Sequence, residues 1–153
     1  MTLHVEYLLT CPELLPTLAQ WFRAEWEPYY GKSGPGDAEE DLSASMRRDE
    51  LPLCLVALEG DALLGTISLG ASSISHPQCT PWGRALLVAP FARGRGVGSA
   101  LVAAVEVEAR RLGYAELFMS TDSANRIVER RGWKAIDTAP SLRGPVTVYR
   151  CTL

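Results

Sequence analysis

The chain has 153 residues, 47% of them apolar and 22% charged, with a formal net charge of −3. That is the profile of one soluble globular domain spanning 1–153, large enough to bury a core without disulfides or metals, and it excludes a general nucleic-acid binder, which carries a clearly basic surface. No apolar run reaches the ~20 residues of a membrane helix and the N-terminus lacks the regions of a signal peptide, so no membrane association is expected and the expected location is cytoplasmic.

Leu3-His4-Val5-Glu6-Tyr7 alternates apolar and polar side chains, the signature of a half-buried strand. From Thr10 the period becomes helical. Thr10 or Cys11 precedes Pro12 at a first helical position, and Leu14, Leu18, Trp21, Phe22 and Trp26 recur on one face, so a helix is expected to about Trp26, with Pro28 stopping it. Tyr29 to Gly36 reads as a loop, and Asp37 to Arg48 as a second helix capped by Asp37. Two apolar runs, Leu53 to Leu58 and Ala62 to Leu69, flank the turn Glu59-Gly60-Asp61 and predict a hairpin. Ser72 to Pro81 is a surface loop that delivers His76, Cys79 and Trp82 toward the next strand. The four cysteines, Cys11, Cys54, Cys79 and Cys151, stand far apart with only His4 and His76 to join them, so no zinc site is expected.

Ala85 to Val102 organises the rest of the chain. An apolar run breaks at Pro90, passes through Arg93-Gly94-Arg95-Gly96-Val97-Gly98, and continues as an amphipathic helix with Leu101, Val105, Ala109 and Leu112 on its buried stripe. Glu106, Glu108, Arg110 and Arg111 fall among its exposed positions, and Gly113 caps it. The glycines allow the backbone positive φ and close approach to a ligand, and the first turn of a helix leaves its N–H groups unbonded at the positive end of the dipole. Strand, glycine loop and helix together predict a seat for a phosphate, with Arg93 and Arg95 adding charge. A Walker A loop is ruled out because no Gly-Lys-Ser or Gly-Lys-Thr closes the turn. A Gly-x-Gly-x-x-Gly fingerprint fails too, since its third glycine would fall on Ser99 or Leu101. Glu116 to Ser120 follows as a strand, Asp122 or Ser123 caps a short helix ending at Gly132, Trp133 to Ile136 is extended, and Val146 to Leu153 is the last strand.

The letters that remain, Arg-x-x-Gly-x-Gly filled by Arg93, Gly96 and Gly98 after the strand Leu86 to Pro90, resemble the acyl-CoA pyrophosphate loop of the GNAT superfamily of N-acyltransferases. The likeness runs from Trp82 to Trp133 and takes in Asn125 and the pair Gly132-Trp133. It implies an α/β fold with a mixed, mostly antiparallel central sheet of about seven strands and about four flanking helices. It also implies acetyl-CoA as co-substrate, no metal, and transfer of the acetyl group to an amine by direct attack in a ternary complex. In that frame the amides of Arg93, Gly94, Arg95, Gly96, Val97, Gly98 and Ser99 hold the pyrophosphate. The pantetheine lies along Leu86, Leu87 and Val88, where a backbone N–H of Leu87 or Val88 polarises the thioester, and Asn125 stands beside it.

The family's general-acid tyrosine aligns with Val128, so Tyr149 or Tyr114 is the candidate substitute. Many members carry a glutamate on the strand before the loop; Gly83-Arg84-Ala85 supplies none, leaving His76, or Glu25, Glu27 or Asp122 through water, as the base. Trp26, Tyr29, Tyr30 and Trp82 are the expected walls of an acceptor pocket for a small-molecule amine or a peptide N-terminus. Two other readings follow from the same letters: a non-catalytic acyl-CoA-binding module, suggested by Val128, and a nucleotide switch built on the glycine loop. The last strand and the loop before it are where a homodimer would pair.

Overall fold

In a computed structural model that describes residues 2–153, seven strands form one sheet in the order β1-β2-β3-β4-β5-β7-β6. The strands are β1 (Leu3–Tyr7), β2 (Leu53–Glu59), β3 (Ala62–Gly70), β4 (Trp82–Val88), β5 (Glu116–Thr121), β6 (Lys134–Ala139) and β7 (Val146–Thr152). Every neighbouring pair is antiparallel except β4 and β5, so the expected mixed, mostly antiparallel sheet is what forms. Five α-helices flank it: α1 (Leu15–Glu25), α2 (Glu27–Tyr30), α3 (Ala38–Ala44), α4 (Val97–Arg111) and α5 (Asn125–Arg130). Among the described residues no helix is long and apolar enough to cross a membrane.

Two layers of side chains bury the sheet. On one face Leu101, Val105 and Ala109 of α4 and Val128 of α5 pack with Leu55, Ile67, Leu117 and Tyr149 of the strands. On the other, Leu18 and Phe22 of α1 and Leu42 of α3 cover Cys54, Val56 and Leu87. Residues 53–58 of β2 are buried without interruption, as a strand covered on both faces requires.

The local differences from the sequence reading have identifiable causes. Pro28 does not end structure: the chain breaks at Trp26 and Pro28 sits in the first turn of α2, a place where its missing N–H costs nothing, so Tyr29 and Tyr30 are helical rather than loop. Asp37 caps α3 as expected, its carboxylate accepting from the Glu40 N–H at 3.0 Å, but the helix ends at Ala44 because the Ser45 hydroxyl takes the Asp41 carbonyl. α5 is capped from Thr121, whose Oγ1 accepts from the N–H groups of Ser123 and Ala124, and not from Asp122 or Ser123. Gly113 and Gly132 each follow a helix with positive φ and complete the 6→1 and 5→2 bonds of a Schellman close. Glu108 is not solvent-facing. It is 9% exposed and accepts from Tyr7 Oη at 2.6 Å and from Arg111, tying β1 to α4.

Candidate active site

The parallel pair is short. β4 and β5 are in register only at Trp82 with Phe118 and at Gly83 with Met119, after which β4 runs on with no partner on that side. At the same point β4 is bulged against β3: Ser68 faces Arg84 and Thr66 faces Leu87, so Ala85 and Leu86 together oppose one residue. Ala85 takes φ +56°, the one non-glycine in that region among the described residues.

The bulge decides which way the backbone points. Phe118 N–H donates to the Pro81 carbonyl, which turns Gly83 toward β5 and Arg84 toward β3. Beyond the bulge Ala89 N–H donates to the Leu64 carbonyl, so Ala89 and Leu87 face β3 and Val88 faces the gap. Of the two amides proposed to polarise a carbonyl, Leu87's is spent in the sheet and Val88's is free in the split.

β4 leads through a 3-10 turn at Pro90–Ala92 into the glycine loop. Gly94 and Gly96 have φ +76° and +81°, and a side chain on either would point into open space. Gly98 has no such freedom, since a methyl there would stand 2.8 Å from Ile127 Cδ1. None of the six N–H groups from Gly94 to Ser99 has a hydrogen-bond partner among the described residues; the ladder of α4 resumes at Ala100, which donates to Gly96. The two arginines of the loop are engaged at its rim, Arg93 Nε on the Val88 carbonyl at 3.3 Å and Arg95 on Glu59 at 2.6 Å. An anionic diphosphate fits this row of donors: unbonded amides, a helix N-terminus and no Cβ in the way.

On the opposite face of the split lies a cleft of about 770 Å³. All four expected acceptor residues, Trp26, Tyr29, Tyr30 and Trp82, line it, together with Arg84 on β4 and Asp122 beyond β5. Phe22 holds the aromatic wall, 5.1 Å from Trp26 edge-on and 5.5 Å from Tyr30. The Tyr30 hydroxyl donates to Asp41 at 2.7 Å; burial and that carboxylate push its proton loss well above the usual range. Trp82 is buried against Phe118 with its indole N–H on the Cys79 carbonyl, so it is a rigid wall. Glu25 is held by Arg143, and Glu27 stands outside the lining.

The candidate acid–base groups are less well served. His76 is not in the cleft lining. Its Nδ1 lies 2.8 Å from Ser75 Oγ and its Nε2 2.7 Å from Asp137 Oδ2, and the His76 contact holds the Asp137 carboxyl below the usual carboxylate range. The loop 72–81 brings the ring to Asp137 at the β6 bulge, with its centroid 6.1 Å from that of Trp82. Tyr149 receives the Asn125 amide at 2.9 Å and donates to Glu129 at 2.6 Å; burial, then Glu129, raise its titration. Asn125 thus spends an amide proton on Tyr149. Tyr114 sits past the far end of α4, a helix of 15 residues and therefore about 22 Å from the loop. Val128 is fully buried. Sequence reasoning missed Arg84 as a cleft residue and missed the end of β5, Met119 to Thr121, as its opposite wall. The alternation that places Trp82 on one face also places Arg84 there, and was the available signal.

Residues 15–132 match the model of the acetyltransferase (GNAT) family. Among solved structures, an aminoglycoside 6'-N-acetyltransferase complexed with coenzyme A superposes with TM-score 0.77 at 19% identity, covering 99% of this chain and 97% of that one. An N-acetyltransferase from Staphylococcus aureus Mu50 gives 0.76 at 21%, covering 99% of each. A Salmonella typhimurium protein described as an acetyltransferase, solved with its cofactor acetyl-CoA, gives 0.76 at 18%, covering 100% and 95%. No curated protein matches the sequence. At these identities the structural likeness speaks for the fold.

Proposed function

This chain belongs to the GNAT acetyltransferase family, and on that premise we propose that it is an N-acetyltransferase, one domain over 1–153 working in the cytosol, that moves the acetyl group of acetyl-CoA to an amine. The observation that carries the reading is the split between β4 and β5, with unbonded loop amides on one face, an aromatic-walled cleft on the other, and the Val88 N–H between them.

Acetyl-CoA supplies an acyl group activated as a thioester. The amides from Gly94 to Ser99 bind its diphosphate, and the free edge of β4 at Leu86 and Val88 receives the pantetheine by main-chain bonds. The Val88 N–H then faces the thioester oxygen, where one well-placed donor is worth about 3 kcal/mol when charge develops. Trp26, Tyr29, Tyr30 and Trp82 hold the acceptor so that its neutral nitrogen meets the carbonyl, and proximity supplies much of the remaining acceleration. The new N–C bond forms, the C–S bond breaks, and the amine proton leaves to water or Asp122 while the thiolate is protonated by solvent. A CoA thiolate is a good enough leaving group for that route, which Val128 makes necessary.

The test is release of free CoA thiol from acetyl-CoA over a panel of small amines, polyamines, aminoglycosides and N-terminal peptides. Amine-dependent release supports the enzyme; CoA binding with silence across all classes supports the second reading, an acyl-CoA-binding module. That alternative draws on buried Val128 and on a Tyr149 hydroxyl already committed to Asn125 and Glu129. Stabilisation by ATP with Mg²⁺ and none by CoA would sink both.

A further inference from the structure

Resting on the acetyltransferase reading, we propose that Arg84 sets acceptor specificity, its guanidinium holding a carboxylate or phosphate on a substrate that carries that anion as well as its amine. Arg84 stands on β4 one residue past the last pairing with β5 and lines the cleft. Among the described residues it donates no side-chain hydrogen bond and has no carboxylate within 4.0 Å. The other charges there are engaged: Arg143 with Glu25, and Asp41 with the Tyr30 hydroxyl. Of the cleft's other charged residues, Asp122 beyond the end of β5 is likewise without a hydrogen-bond or ion-pair partner among the described residues. The two free charges of the cleft are therefore opposite in sign and on opposite walls, which suits an acceptor that enters as a zwitterion, ammonium toward Asp122 and anion toward Arg84.

The fold makes room for this guanidinium. Arg84 lies over Gly70 of β3, where a methyl group would overlap its Cζ and stand 2.6 Å from Nε. Gly70 has no positive φ, and the atoms that a side chain there would meet are those of the Arg84 guanidinium. A planar fork without a protein acceptor, laid flat in a cleft, is suited to bidentate recognition of carboxylate or phosphate.

The experiment compares kcat/KM for matched amines that differ only in the anion: dipeptides with uncharged side chains, their C-terminal amides, phosphoethanolamine and ethanolamine. CoA binding is read separately by thermal shift. The wild type is expected to favour the anionic member of each pair, and Arg84→Gln to cut that preference by about tenfold to hundredfold through KM, as loss of a charge-assisted pair implies. The dipeptide and phosphoethanolamine arms separate carboxylate from phosphate. Gly70→Ala, which displaces the guanidinium without removing it, is expected to weaken the same preference. Where no acceptor turns over, calorimetric titration of the CoA-loaded protein with glutarate gives the same readout. An unchanged preference or unchanged glutarate affinity in Arg84→Gln overturns the proposal. Loss of CoA stabilisation in the wild type would instead overturn the acetyltransferase reading on which it rests.

Discussion

Replacing Gly96 by glutamate, with Gly96→Ala as its control, tests whether the loop is the phosphate seat. Gly96 has φ +81° and open space where a side chain would go, so the folding cost of either substitution is backbone strain alone, roughly 1–2 kcal/mol. For a chain of 153 residues each kcal/mol moves Tm by about 2–4 °C, so both variants should melt about 2–8 °C below wild type. They part company on ligand. A carboxylate about 4–5 Å from a phosphate at an effective dielectric of 20 is repelled by about 3–4 kcal/mol, or roughly 10²- to 10³-fold in affinity. At a CoA concentration of 100 times the wild-type Kd, the wild type gains about 2.7 kcal/mol and its Tm rises by about 5–11 °C. The glutamate variant at the same concentration should gain at most about 0.4 kcal/mol, a rise of no more than about 2 °C. A folded Gly96→Glu protein that keeps the full CoA shift would refute the placement of the diphosphate on this loop.

Val128 is wholly enclosed between α4, α5 and the sheet, so Val128→Tyr should cost about 1–3 kcal/mol by overpacking and lower Tm by about 2–12 °C in differential scanning calorimetry. An unchanged Tm would mean that the site has room to restore a phenol. Glu106 accepts from both Arg131 and the Trp133 indole; burial opposes its charge, but those bonds win and hold the carboxyl below its ordinary value. Its contribution to stability is thus present above about pH 4.3, the unfolded value, and lost as pH falls through the lower folded value. Urea titrations from pH 7 to 3 should show Glu106→Gln less stable at neutral pH and losing less on acidification, and parallel curves for the two proteins would contradict the assignment. Ala85→Gly relieves a positive φ at the bulge and should leave Tm unchanged or raise it by about 2–4 °C, while Ala85→Val should lower it. Equal melting of all three would mean that the bulge stores no strain.

The elements that were legible in the sequence are those whose cause is local. The alternation of Leu3 to Tyr7, the apolar runs around Glu59-Gly60-Asp61, the Asp37 cap and the glycines after Pro90 each carry their own signal, and each element lies where its residues put it. Chain order could not supply pairing. Glu108 reads as a surface residue on a helical wheel and becomes buried because β1 brings Tyr7 across from a position 101 residues away. His76 reads as a free loop histidine, and the ring is instead drawn to Asp137, 61 residues on. The bulge is the least legible feature of all. Alanine disfavours the conformation that Ala85 adopts, so nothing in its identity announces it, and only the ladder on either side requires it.

That one extra residue determines which amide of β4 faces the split. Counted through β4 without a bulge, Trp82, Arg84, Leu86 and Val88 would share one orientation, their side chains in the cleft and their amides bonded to β3. The bulge breaks the parity after Arg84. Arg84 keeps its side chain on the cleft face, while Val88 turns its side chain into the α4 core and its N–H into the gap. In the proposed reaction the acceptor sits on the cleft face of the sheet, and the donor carbonyl is polarised from the open edge of β4. A regular strand would keep Arg84 in the cleft and turn the Leu87 N–H into the gap; the bulge at Ala85 puts the Val88 N–H there instead, one residue nearer the glycine loop.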